Sequence, residues 1–164
     1  MSSSRAANAL TIAVVCLPVL FGLAHAHSGH THGSHAPKAA YGEPGDPAKP
    51  SREVVVVMAE SSGRMLFAPD TIEVRKGEQV RFRFRNEGAL EHEFLIATQA
   101  ELDEHADLMQ AMPDMKHEDP NAIRLAPQAS GDLVWRFTTA GEFPFACLIP
   151  GHREAGMVGK VIVR

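Results

Sequence analysis

Three residues with soft or borderline donor atoms are evenly spaced near the end of the chain, as Cys147-x4-His152-x4-Met157. They lie in the stretch Phe143 to Met157, which reads Phe-Pro-Phe-Ala-Cys-Leu-Ile-Pro-Gly-His-Arg-Glu-Ala-Gly-Met. Two histidines and one cysteine in a plane, with a weak axial methionine, are the donor set of a blue-copper electron-transfer site. This stretch supplies one histidine, so the second must come from elsewhere. His92, in Glu91-His92-Glu93-Phe94, is the best candidate; its rivals, His105 and His117, fall in a helix and a polar loop. Zinc also accepts cysteine and histidine. Methionine, however, is a poor zinc ligand and a good one for Cu(I). A binuclear copper centre would need a second cysteine in the loop, and there is none.

The cysteine count strengthens the metal reading. Arg5 precedes an apolar run from Leu10 to Leu23, which ends in Ala24-His25-Ala26. A short basic region, an apolar run and a small-x-small site make a secretory signal peptide over residues 1–26, with cleavage expected after Ala26. The run is too short to favour a membrane-spanning helix, so the expected location is the periplasm, without membrane attachment after cleavage. Of the two cysteines, Cys16 leaves with the leader and Cys147 remains alone. A lone cysteine in an oxidising compartment cannot close an internal disulfide and is open to oxidation. A metal that holds it as thiolate removes that liability.

The 164 residues and net charge of -4 fit one domain and give no basic excess for nucleic acid. Residues 27–51 are rich in His, Gly, Pro, Ala and Ser without apolar periodicity, which predicts a disordered arm and linker. Within the arm, His27, His30, His32 and His35 form a candidate metal-capture cluster, since neutral imidazole binds copper, nickel and zinc. A solvated polar tail fits the same residues equally well.

From residue 52 to 164 the texture is that of strands. Val54 to Met58 is a β-branched run suited to a buried strand. Thr71 to Val74 follows Pro69-Asp70. Val80 to Arg85 alternates strictly, with Val80, Phe82 and Phe84 on one face and arginines on the other. His92, Phe94 and Ile96 share a face in the same way. Leu133, Trp135 and Phe137 form another inward row, and strands are also expected at 123–125, 142–147 and 157–163. Between them, Thr98 and Glu101 make a capping-box pattern for a helix whose stripe is Leu102, Ala106, Met109 and Met112, ended by Pro113. Seven or eight short strands with turns between them predict an all-β antiparallel sandwich with one helical insertion. Met109, Met112, Met115 and His117 form a candidate second copper site, against the plainer reading of methionine as core filler.

The pattern Gly141-x-Phe143-x-Phe145-x-Cys147-x2-Pro150-Gly151-His152-x4-Met157 resembles the copper loop of the cupredoxins. Phe67-x-Pro69-x2-Ile72-x-Val74-x2-Gly77-x2-Val80 resembles their early strands. The loop spacing is similar to that of rusticyanin-type and phytocyanin-type members. The resemblance implies a Greek-key β-sandwich, one type 1 copper centre with His92, Cys147, His152 and Met157 as ligands, and electron transfer. The histidine-rich arm and methionine-rich insertion look like those of bacterial copper-tolerance cupredoxins. Glu93 is a departure, for azurin-like members often carry asparagine after this histidine. The expectation is a non-enzymatic monomer that exchanges electrons with a periplasmic redox protein, such as a c-type cytochrome or a copper oxidase. A dedicated respiratory shuttle between cytochrome and oxidase is the alternative; it would need neither arm nor methionine loop. A copper oxidase would need a second copper type or another domain.

Overall fold

Alternating apolar and polar residues give each strand one dry and one wet face, and two such sheets bury their dry faces against each other. The computed structural model describes residues 39–112 and 119–164. Ten strands, among the described residues, are β1 (Glu43–Pro44), β2 (Arg52–Ser61), β3 (Arg64–Ala68), β4 (Thr71–Val74), β5 (Gln79–Asn86), β6 (His92–Ile96), β7 (Ala122–Leu125), β8 (Ser130–Arg136), β9 (Gly141–Ala146) and β10 (Val158–Val163). They form two five-stranded sheets in the orders β1-β8-β5-β2-β3 and β4-β10-β9-β6-β7. The architecture is the β-sandwich expected. Two pairings, β2 on β5 and β4 on β10, run parallel, so the sheets are mixed rather than purely antiparallel. Residue alternation is blind to strand direction, and so could not reveal this.

The core between the sheets is aromatic. Phe84 of β5 meets Phe94 of β6 at a centroid distance of 4.6 Å, and Phe94 meets Phe145 of β9 at 4.8 Å. Phe67 of β3 closes the group edge-on to Phe145 at 5.2 Å. All four rings are buried, and burying each stabilises the fold by about 1.5–3 kcal/mol. The valine run of β2 is not buried throughout. Val56 and Met58 point into the core, whereas Val55 is 40 % exposed, because the outer face of this sheet meets water. β6 is different: all five of its residues are buried. It lies inside its sheet, between β9 and β7.

The helix α1 spans Gln99–Ala111 and starts as its sequence directs. The Glu101 N–H donates to Thr98 Oγ1 at 3.3 Å, and the Thr98 N–H donates to Glu101 Oε2 at 2.8 Å. Leu102 and Met109 bury its inner stripe.

The expected disordered arm does not extend to residue 51. Tyr41 is buried and stacks on Trp135 at 5.7 Å, and β1 pairs with β8. The physical reason is one large aromatic ring with a partner ring to cover. Gly42 permits the approach: with φ at +143°, a Cβ there would come within 2.2 Å of the Arg136 carbonyl oxygen. Residues 1–26, the expected leader, and His27, His30, His32 and His35 lie outside the described residues. Among the described residues, no helix is long and apolar enough to cross a membrane.

Candidate metal centre

Core packing delivers the donors to one place. His92 opens β6, two residues before Phe94, and is wholly buried. Cys147 follows the last residue of β9, two residues after Phe145, and is also wholly buried. Each donor therefore continues an inward-facing row of its strand past the aromatic core. His152 sits on the connection from β9 to β10, which is wound into successive turns. The His152 N–H donates to Ile149 O at 3.0 Å and the Ala155 N–H to Gly151 O at 3.1 Å. Gly151 has φ at +87° with open space where a Cβ would stand, so backbone sign alone selects glycine there. Met157, wholly buried, is tied to both neighbours. Its N–H donates to His152 O, and its carbonyl accepts the Cys147 N–H, each at 3.1 Å.

The side chains converge. His92 Nδ1 lies 3.2 Å from His152 Nδ1, and His152 Nδ1 lies 3.4 Å from Cys147 Sγ. One ligand atom from each of the three residues falls within 4.8 Å of the others. Nitrogen and sulfur donors bonded to one first-row ion at about 2.0–2.3 Å stand roughly 3.5–3.8 Å apart when the ion lies in their plane. The His92–His152 and His152–Cys147 separations come within a few tenths of an ångström of these values. His105, the rival on α1, is not among these converging residues, and His117 lies outside the described residues.

The electrostatics agree. Burial pushes the Cys147 thiol up to about 12, although the N–H groups of Glu93 and Ile149 pull the other way. The Glu93 N–H is 3.3 Å from the sulfur. A thiol so buried keeps its proton at neutral pH, and a metal bound there would displace that proton. Burial, and then the neighbouring His92, hold the His152 imidazole below its ordinary range. A neutral imidazole is the form that ligates. Glu93 itself is buried, opposite Arg124 in the β6–β7 register.

One residue of the site escaped the sequence reading. Glu60 Oε1 lies 2.7 Å from His92 Nε2, the nitrogen that faces away from the other donors. Ala89 and Leu90 donate their N–H groups to the same carboxylate at 2.8 and 3.1 Å. These bonds, led by that from Ala89, hold the Glu60 carboxyl below its usual range. A signal was present: Glu60 continues the inward row Val56, Met58, and an acid there needs a buried partner.

The methionine-rich segment is not assembled into a second site by the described residues. Met109 is wholly enclosed in the core, whereas Met112, at the end of α1, is 46 % exposed. Met115 and His117 lie outside the described residues.

Comparison with known proteins agrees with this site. A family model described as copper binding proteins, plastocyanin/azurin family, matches residues 54–164. A copper-resistant cuproprotein, CopI, of Rubrivivax gelatinosus is 54 % identical over 93 % of this chain and 95 % of its own. A protein of the same name from Pseudomonas aeruginosa is 37 % identical over 94 % of this chain and 96 % of its own. Among solved structures, auracyanin B superposes with a TM-score of 0.60 at 22 % identity, over 77 % of this chain and 99 % of its own, which shows the shared fold. With the fold, the convergent donors and these relatives in agreement, the chain belongs to the copper-binding plastocyanin/azurin family, and copper is its cofactor.

Proposed function

We propose that this chain is an exported carrier of one type 1 copper ion, which His92, Cys147, His152 and Met157 would hold. The observation that carries the reading is the convergence of His92, Cys147 and His152, all buried, with one ligand atom from each within 4.8 Å of the others. Copper supplies the one-electron change between Cu(II) and Cu(I). The protein's part is to hold the donors still, with each tied to packed strands or to its neighbours' backbone, so that little rearranges between the two valences. Four protein donors leave no position set aside for a substrate, which favours a carrier over an enzyme.

The role we assign is copper tolerance in the periplasm. The supporting observations are the name of the relatives, copper-resistant cuproprotein, and the sequence of the leader. The partner proposed is a periplasmic redox protein. It would meet the loop around His152, a residue that is 8 % exposed.

Visible absorption of the copper-loaded mature protein tests the centre. An intense thiolate-to-copper band that disappears in Cys147→Ser is expected; a protein without that band overturns the assignment. Copper sensitivity of cells lacking the gene tests the role. Wild-type resistance in such cells would favour the respiratory shuttle.

A further inference from the structure

We propose that Glu60 is the positioning residue of the copper centre, fixing His92 through its Nε2–H so that Nδ1 is the nitrogen offered to the metal. The inference rests on the four-donor reading above and adds to it a charged group that the ligand motif does not contain.

Glu60 Oε1 stands 2.7 Å from His92 Nε2, while His92 Nδ1 faces His152 Nδ1 at 3.2 Å. A carboxylate can only accept, so the proton of a neutral His92 belongs on Nε2 and the lone pair on Nδ1. A carboxylate behind a metal-bound imidazole fixes its tautomer and ring plane and raises its basicity.

The carboxylate is itself held in a built cradle. The Ala89 and Leu90 N–H groups clamp it from the loop that precedes β6. Asn86, buried at the end of β5, braces that loop: its Nδ2 donates to Leu90 O at 2.7 Å and its Oδ1 accepts the Gly88 N–H at 3.0 Å. Gln128 donates to the carbonyls of Glu87 and Gly88 at 3.1 and 2.9 Å. Gly88 completes the fit, for a Cβ there would lie 2.5 Å from each oxygen of the Glu60 carboxylate. An acid kept on the core face of a strand, two backbone donors aimed at it and a glycine making room for it form one arrangement directed at His92. The Glu60 side chain is 26 % exposed, so its charge persists beside a wholly buried imidazole. A fixed negative charge there favours Cu(II) over Cu(I).

The test uses the full mature protein loaded with copper, as wild type, Glu60→Ala and Glu60→Gln. In the diamagnetic Cu(I) form, the His92 Nε2–H proton is followed by NMR; Cu(II) and Cu(I) affinities are measured by competition with chelators. Glu60→Ala is expected to lose exchange protection of Nε2–H and to bind Cu(II) about 10- to 100-fold more weakly. Glu60→Gln retains an oxygen acceptor but no charge. It should keep the protected proton while losing more Cu(II) than Cu(I) affinity, which raises the potential. Wild-type proton protection and Cu(II) affinity in Glu60→Ala overturn the proposal, as does a wild-type Cu(II)-to-Cu(I) affinity ratio in Glu60→Gln. The thiolate-to-copper band of the wild type separates the two ideas. Its absence would remove the four-donor reading itself, whereas its presence with unchanged variants removes only the role of Glu60.

Discussion

The rings of Phe94 and Phe145 lie 4.8 Å apart, and each is two residues from a donor, His92 before the first and Cys147 after the second. The two donors are thus carried by neighbouring, hydrogen-bonded strands of one sheet whose core rings pack against each other just beyond them. Phe94→Ala should cost about 3–5 kcal/mol in unfolding free energy and should broaden or shift the thiolate-to-copper band. Chemical denaturation and visible absorption on the same sample check both; a normal band in a strongly destabilised variant would uncouple core from site.

Met157 is held between His152 and Cys147 by its backbone. Its side chain can therefore change without moving the other donors. Met157→Leu should keep copper bound and keep the colour, with a raised potential, because a thioether is the weak member of the donor set proposed. Potentiometry with copper quantification checks this, and a large loss of copper would contradict an axial role.

Gly88→Ala places a methyl group 2.5 Å from both Glu60 oxygens. The far end of a flexible, partly exposed side chain gives way more easily than backbone. Stability should fall by no more than about 1–2 kcal/mol, while Cu(II) affinity falls as in Glu60→Ala. A copper titration beside a thermal melt distinguishes this from general unfolding of the loop.

Tyr41 is the sole tyrosine of the chain. Burial, and secondarily the charges of Glu101 and Asp119, push its phenol up to about 12. The folded protein holds this proton more tightly than the unfolded chain, where the value is about 10. Its contribution to stability is therefore complete below pH about 10 and is lost as the pH rises through about 12. Tyrosinate absorbance should appear late, together with alkaline loss of structure. Tyr41→Phe should soften that alkaline loss. At neutral pH it should cost about 1 kcal/mol or less, since Asn121 Nδ2 keeps its 2.7 Å bond to Ile96 O.

Much of this molecule was legible in its residues, for reasons that also explain what was not. Val80, Phe82 and Phe84 against Arg81, Arg83 and Arg85 announce β5 because that sheet has one dry face and one wet one. Thr98 and Glu101 announce α1 because a helix start must satisfy its own N–H groups. The Cys147 loop announces metal because a thiol, an imidazole and a thioether at even spacing have few other uses together. Glu60 was missed because it bonds His92 across 32 residues of sequence, a distance that no local spacing encodes. Tyr41 was missed because a single ring in a Pro- and Gly-rich stretch has no periodicity; its place depends on Trp135, whose indole N–H donates to Tyr41 O from 94 residues away.

Glu60 belongs to β2 and His92 to β6, strands of opposite sheets. The ligand is consequently riveted to the far layer of the sandwich as well as to its own. Sliding one layer past the other must either shear that rivet or drag the imidazole with it. Grip on the ion and the seating of the two halves are thereby a single mechanical property.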